Sequence, residues 1–510
     1  MSAAETRPSR VLVIGLDVGD GRLLRSLADD GELPVLAGLM GRGVWQWLAT
    51  PAEILHVSAW PSIYTGAPPG EHGVYFTFQS SPGIQGWRMF HGDLYGRATF
   101  WHLLSEAGVR CTVFDAPYVH PEEPSRATQI FDWGTWARHW RTSSHPPALL
   151  RRLQRACGRY PLGLEALDIG LVHVDSGEMR RRLVGSVAAK ATATTWLMER
   201  EAWDLFFVTF GETHAAAHYC SRPAGDAARP EDLVAVYRAI DQAIGEIVEQ
   251  AGEDTTVHVI SGDGVGVNHG GWHLLPDVLR LLGYLVEPAP EEGSESRDVV
   301  RRLRDKLPKD LRKQIARKLP GWLRHRLAMR VDTGAIEWSS TRAYCLPTDL
   351  EGYIRINLVG REPQGIVEPG EAYDAVCAEL TDRLLELTDP ATGGRVVRRV
   401  VRVDEVFPGS RADQLPDLVV LWEAELGQLQ AVSGPGIGTV EGAPLDARPG
   451  THEPPGFLLT VEPGGASGEA TDQGHVQDLA PSLLSHFGVA TPSYMTSPTN
   501  SLVTNREQPS

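Results

Sequence analysis

Residues 203–218 read WDLFFVTFGETHAAAH. The run from Leu205 to Phe210 is apolar at every position but Thr209 rather than at alternate ones, as a strand is when both of its faces are covered. That pattern belongs to a parallel sheet inside an α/β protein. Gly211 and Glu212 end the run, and a helix starting there puts His214 and His218, four residues apart, on one face. Two imidazoles at the carboxyl end of a buried strand suit a transition metal. One core and one surface histidine would give the same spacing, so the rest of the chain has to decide.

Outward from this stretch the same rhythm recurs. Val11–Asp17 (VLVIGLD) is a short apolar run ending in a carboxylate, followed by helix signals from Arg22 to Leu27 and breaks at Gly31 and Pro34. Phe100 to Gly108 reads as a helix with a glycine stop, and Val109 to Phe114 as the next strand. Leu233 to Gln250 is an amphipathic helix, Thr256 to Ile260 a strand, and Pro416 to Leu421 and Phe457 to Val461 two further strands. Strands alternating with helices predict an α/β fold, doubly wound, with a mostly parallel sheet and helices on both faces. Asp17, His214 and Asp263 each follow a strand at the carboxyl edge, where such sheets bind ligands.

The core is expected to run over 1–119, 191–290 and 336–495. A proline- and arginine-rich inserted cap is expected at 120–190, a basic helical insertion at 291–335 and a polar flexible tail at 496–510. Leucines at helical spacing among the arginines and lysines of 291–335 fit solvated amphipathic helices, or a basic lid over an anionic substrate. The 510 residues carry a formal net charge of -17, whose field repels phosphates and disfavours nucleic acid and anionic membranes as partners. Cys111, Cys157, Cys220, Cys345 and Cys377 contain no CxxC pair, which argues against a disulfide framework or a thiolate zinc site. The amino terminus leads into a strand without an apolar leader, and no stretch is long enough to span a bilayer. These features predict a soluble, cytoplasmic protein.

Several segments, taken in order, resemble the type I phosphodiesterase/nucleotide pyrophosphatase branch of the alkaline phosphatase superfamily. They are Gly15-Leu-Asp17, the Trp60 to Gly73 run with Thr65-Gly66 and His72-Gly73, Phe100 to Pro117, and Asp204 to His218. They continue with Ile240 to Gly264, Tyr353 to Val367, Gly450 to Gly456 and Asp478 to Leu484. The resemblance spans about residues 10–490 and implies a dinuclear metal site beside a Ser or Thr nucleophile. Asp17 matches the first carboxylate ligand; His218 and His452 match two histidine ligands. The chain departs from the family elsewhere. His214 stands where the family has aspartate, and Ser-Asp-His-Gly becomes Ser261-Gly262-Asp263-Gly264. The nucleophile position falls on His56, with Ser58 two residues later.

The resemblance thus implies a cluster of Asp17, His56, His214, His218, Asp263 and His452. His214, His218 and His452 form one candidate metal set; Asp17, His56 and Asp263 form a second. Asn268, His269 and His273 are candidate replacements for the carboxylate lost at Gly262. Such a nitrogen-rich cluster suits one or two divalent transition ions, Zn, Fe or Mn, better than Mg or Ca. His72 is expected to fix a turn, Asp20 to cap the first helix, and Arg355 and Arg361 either to order a sheet edge or to contact substrate. The implied activity is hydrolysis of a phosphate or related ester or diester of a small anionic substrate by metal-activated water. Ser58 and His56 remain open as nucleophiles. Two alternatives also stay open: a non-hydrolytic, iron- or copper-dependent oxidative enzyme of specialised metabolism, and a catalytically inactive relative. The residues do not specify an oligomeric state.

Overall fold

The Arg10–Leu16 strand lies in the middle of a ten-stranded sheet. Its parallel neighbours are Leu205–Phe210 on one side and Thr255–Ser261 on the other. Past Leu205–Phe210 the sheet stays parallel through Cys111–Phe114 and Thr128–Phe131, then ends in antiparallel Ser143–His145. Past Thr255–Ser261 come antiparallel Gly456–Val461 and then Val44–Ala49, edged by the short strands Gly468–Glu469 and Gly474–His475. The structure, a computed structural model, describes residues 9–89, 95–119, 126–134, 142–162, 175–221, 230–288, 336–444, 448–465, 467–470 and 472–495.

Side chains alternate across a strand, and here both faces meet helices. Leu12, Ile14, Leu16, Phe206, Val208 and Phe210 point to one face, against the long helices Ser176–Arg200 and Glu231–Ala251. Val11, Val13, Leu205 and Phe207 point to the other, against Ala59–Thr65, Phe100–Glu106 and Leu479–His486. This is the doubly wound α/β architecture. At about 25 cal/mol per Å² of apolar surface removed from water, two such covered faces supply the main force holding the sheet. Its five central strands run the same way, so Asp17, Asp115, Asp132, Gly211 and Gly262 all emerge at one edge.

Two expectations are corrected. Pro416–Leu421 reads as one more parallel strand, but Leu418–Trp422 belongs to a separate four-stranded antiparallel sheet with Ala343–Cys345, Gly352–Ile356 and Val397–Arg402. An apolar run reports burial, not which sheet it joins. The helix Glu371–Leu385 packs Leu380 and Leu384 into the core of this smaller layer. The 120–190 stretch, expected as a cap, supplies Thr128–Phe131 to the main sheet. It also gives Leu149, Leu153, Leu183 and Val187 to the larger core, so its described part is built into the fold. The basic segment 291–335 and the tail 496–510 lie outside the described residues. Among the described residues no helix is long and apolar enough to cross a membrane, and all five cysteines are free thiols.

Candidate metal centre

The stretch at 203–218 forms the strand Leu205–Phe210 and the helix Glu212–Cys220, joined at Gly211. The start of this helix is anchored from below. Lys190 Nζ, fully buried, donates to Gly134 O (2.7 Å) and Thr209 O (2.9 Å), and pairs with Asp115 at 3.0 Å and Glu212 at 3.6 Å. Tyr160 donates its hydroxyl to Glu212 at 2.8 Å. One turn on, His214 and His218 project from the same face into a shared space with His452, which arrives on the strand Gly450–Glu453. One ring nitrogen from each of the three lies within 4.8 Å of the others.

The second nitrogen of each ring is held. His214 Nδ1 lies 2.8 Å from Asp17 Oδ2, His218 Nδ1 2.8 Å from the Gly450 carbonyl, and His452 Nδ1 2.6 Å from Asp263 Oδ2. Ionised carboxylates and carbonyls only accept, so each Nδ1 carries the hydrogen. Acceptors placed behind the ring in this way orient histidines for a metal. Asp17 is itself fixed by Trp60, whose indole N–H donates to Oδ1 at 2.7 Å. Gly450 must be glycine, because a Cβ there would run into the Ala217 carbonyl on the helix that carries His218.

Burial lowers the His214 imidazole below its ordinary pKa, although the nearby Asp17 carboxylate opposes this. Burial, followed by Arg448 and the neighbouring histidines, drives His218 well below it. Burial raises the Asp17 carboxyl, but His214 and Trp60 more than offset that and leave it below the ordinary range. Both imidazoles are therefore neutral donors, and their Nε2 atoms face each other at 3.0 Å. The spacing is close to the roughly 3.3 Å between neighbouring nitrogens of a tetrahedral zinc site with bonds of about 2.0–2.1 Å. The donor set fits a transition ion.

The remaining expected residues separate. His56 comes near, with its ring centroid 4.7 Å from that of His452, but it is not placed as a ligand. Its Nδ1 bonds Glu351 Oε2 at 2.9 Å and its Nε2 pairs with Asp349 Oδ1 at 3.2 Å. Burial would lower its pKa, yet these two carboxylates raise it to about 10. With a proton on each nitrogen it has no lone pair for a metal or for nucleophilic attack. Ser58 is fully buried and donates its hydroxyl to Val74 O at 2.7 Å, which turns it away from the three histidines. Asn268 donates to Arg448 O, His269 is exposed beside Val267 O, and His273 lies against Gly442 O, so none joins the group. His72 fixes the turn after its helix, bonding Ser62 and accepting from Val74 N, and Asp20 caps Gly21–Asp29.

Four residues near the site carry no signal in the sequence reading. Asp349 and Glu351 come from the loop before Gly352–Ile356 in the antiparallel layer, and Arg448 Nη2 pairs with Asp349 Oδ2 at 3.1 Å. A pair of carboxylates just before a strand was the available cue. The fourth is Tyr118, in a left-handed backbone conformation with φ 55°. Val18 (56°), Asp115 (59°) and Asp132 (50°) share that conformation, and all three lie at the carboxyl edge of the main sheet. For bulky or β-branched residues such a backbone is rare and gathers at functional sites. Burial, then the charges of Asp17, Asp349, Asp263 and Asp132, push the Tyr118 phenol well above its ordinary pKa, so its ring belongs to the electrostatic surroundings of the centre.

A family model described as "Type I phosphodiesterase / nucleotide pyrophosphatase" matches residues 11–429. The sequence has no match among curated proteins. Among solved structures, phosphonoacetate hydrolase from Sinorhizobium meliloti 1021 in complex with phosphonoformate is similar over 94% of this chain and 96% of that one, with TM-score 0.52 and 13% identity. Its complex with phosphonoacetate gives TM-score 0.51 at 14% identity over the same shares. Murine ectonucleotide pyrophosphatase / phosphodiesterase 5 in complex with AMP gives TM-score 0.49 at 12% identity, again over 94% and 96%. At these identities the phosphonoacetate hydrolase likeness shows a shared fold.

Proposed function

This chain belongs to the type I phosphodiesterase / nucleotide pyrophosphatase family, and we propose that it hydrolyses a phosphate or related ester or diester with a transition metal held by His214, His218 and His452. The observation that carries this reading is the convergence of the three imidazoles within 4.8 Å, each anchored through Nδ1, at the carboxyl edge of the sheet. Three nitrogen donors favour Zn, Fe or Mn over Mg or Ca. A transition ion there supplies positive charge to phosphoryl oxygens and makes water acidic enough to attack near neutral pH.

The protein's own groups divide the remaining work. Asp17, Asp263 and the Gly450 carbonyl keep the three rings in one tautomer and one orientation. His56 contributes a fixed positive charge at the position where the family resemblance implies a nucleophile. Ser58 is turned into the core, so no described side chain at that position is free to attack the ester, and attack falls to water. The phosphonoformate carried by the phosphonoacetate hydrolase neighbour suits the same reading of a small anionic substrate.

The test is turnover of aryl phosphate monoesters, diesters and phosphonates by protein loaded with Zn or Mn. Metal-dependent release that chelator abolishes and ion restores is the expected result. Stoichiometric metal with no hydrolysis of any of these esters would sink the reading. The nitrogen-only ligand set also fits iron or copper acting on dioxygen, so dioxygen uptake in place of hydrolysis would favour the oxidative alternative.

A further inference from the structure

We infer that the centre takes a single metal ion, and that the place of the second ion implied by the family resemblance is closed by the packing of this chain. The inference rests on the reading that the three histidines hold an ion.

The second candidate set was Asp17, His56 and Asp263. Asp17 has both oxygens engaged, one by Trp60 Nε1 and one by His214 Nδ1. Asp263 is drawn to His452 Nδ1 at 2.6 Å, where it orients a ligand of the first site. His56 faces a carboxylate oxygen at each ring nitrogen. These side chains serve the first site or the protein. Among the described residues, His214, His218 and His452 are the one group of three or more His, Cys, Asp or Glu with metal-holding spacing.

Position 262 gives the steric half. The resemblance implies a carboxylate ligand there, and this chain has glycine. A Cβ at Gly262 would lie 2.8 Å from Ala59 Cβ and 3.5 Å from Ile63 Cδ1. Both neighbours are buried on the Ala59–Thr65 helix, and an alanine methyl cannot swing aside as the end of a long side chain can. The helix that follows the nucleophile position occupies the space a side chain at 262 would need.

The surroundings of His56 give the other half. Glu351 and Asp349 hold its two ring nitrogens at 2.9 and 3.2 Å, and Arg448 holds the second oxygen of Asp349 at 3.1 Å, so the side chains around the second position are already engaged with one another.

Elemental analysis of protein saturated with Zn or Mn and then freed of excess ion decides the matter, with anomalous scattering from a loaded crystal as the second readout. One ion per chain and one anomalous peak beside His214, His218 and His452 are expected. Two ions per chain would overturn this inference and leave the proposed metal centre standing, whereas no bound ion would overturn both. The variant Gly262→Asp should keep the count at one and melt at lower temperature than the native protein. A count of two in Gly262→Asp would show that the space is open after all. If that variant does not fold, the native count and the number of anomalous peaks still decide.

Discussion

Two buried polar clusters, one in each sheet, solve the problem of burying charge in opposite ways. In the antiparallel layer Arg361 forms two 2.7 Å bonds to Asp417 and a third contact to Glu362 at 2.9 Å. Arg355 bonds Glu362 at 2.8 Å, while Tyr373 and the Ile356 N–H complete Asp417. Two guanidinium groups meet two carboxylates, and the cluster balances without help. At the edge of the parallel sheet, three imidazoles turn one nitrogen each toward a common space, with two carboxylates and a backbone carbonyl behind them. On the proposed function, that cluster is completed by a bound ion. A buried network whose guanidinium groups and carboxylates pair with one another reads as structure; one whose donor atoms converge on a common point reads as a site. This places Arg355 and Arg361 with the sheet rather than with a substrate.

The sharpest way to break the comparison is to remove one member from each side. His218→Ala should abolish stoichiometric metal binding and all metal-dependent turnover while the protein still folds, as measured by elemental analysis beside circular dichroism. Arg361→Ala should do the reverse, costing about 3–5 kcal/mol because it leaves Asp417 buried without its partner, with the metal count unchanged. Denaturant melts of both variants check this, and equal loss of metal in the two would erase the distinction. Asp263→Ala should be milder, weakening metal affinity about 10–100-fold through the lost orientation of His452, as read by competition with a chromogenic chelator.

The smallest effect concerns acid. Burial raises the Asp417 carboxyl, but Arg361 outweighs it and holds the group below its ordinary value of 3.8. A depressed carboxyl stabilises the fold above the unfolded value and loses that contribution as pH falls through its folded one. The stability of Asp417→Asn should therefore depend less on pH below 3.8 than that of the native protein, in denaturant melts at stepped pH. An unchanged acid limb would remove Asp417 from the account.

The parallel half of this molecule was largely legible in its sequence. The apolar runs at Val11 and Leu205 carry burial on both faces, and the turn at Gly211 puts His214 and His218 on one helical face, as the spacing predicts. The antiparallel half was not. Leu418–Trp422 looks like any buried strand, and only pairing with Gly352–Ile356 and Val397–Arg402 assigns its sheet. The role of His56 was hidden for the same reason. Its partners Glu351 and Asp349 are loop carboxylates that look solvated in sequence and meet the imidazole only once the two layers pack. Arg448 likewise has no local pattern to mark it.

The bonds that shape the centre also set when it can first exist. Asp17 reaches His214 across 197 positions, Asp263 reaches His452 across 189, and His218 reaches Gly450 across 232. Contacts so remote in sequence form late, because each must first meet the entropy of closing a long loop. A nascent chain lacking its last sixty or so residues has neither His452 nor the Gly450 carbonyl, so an ion bound as proposed could not template the fold. On the proposed function, metal uptake would then report on the finished molecule, and a truncated or half-folded chain would compete poorly for the ion.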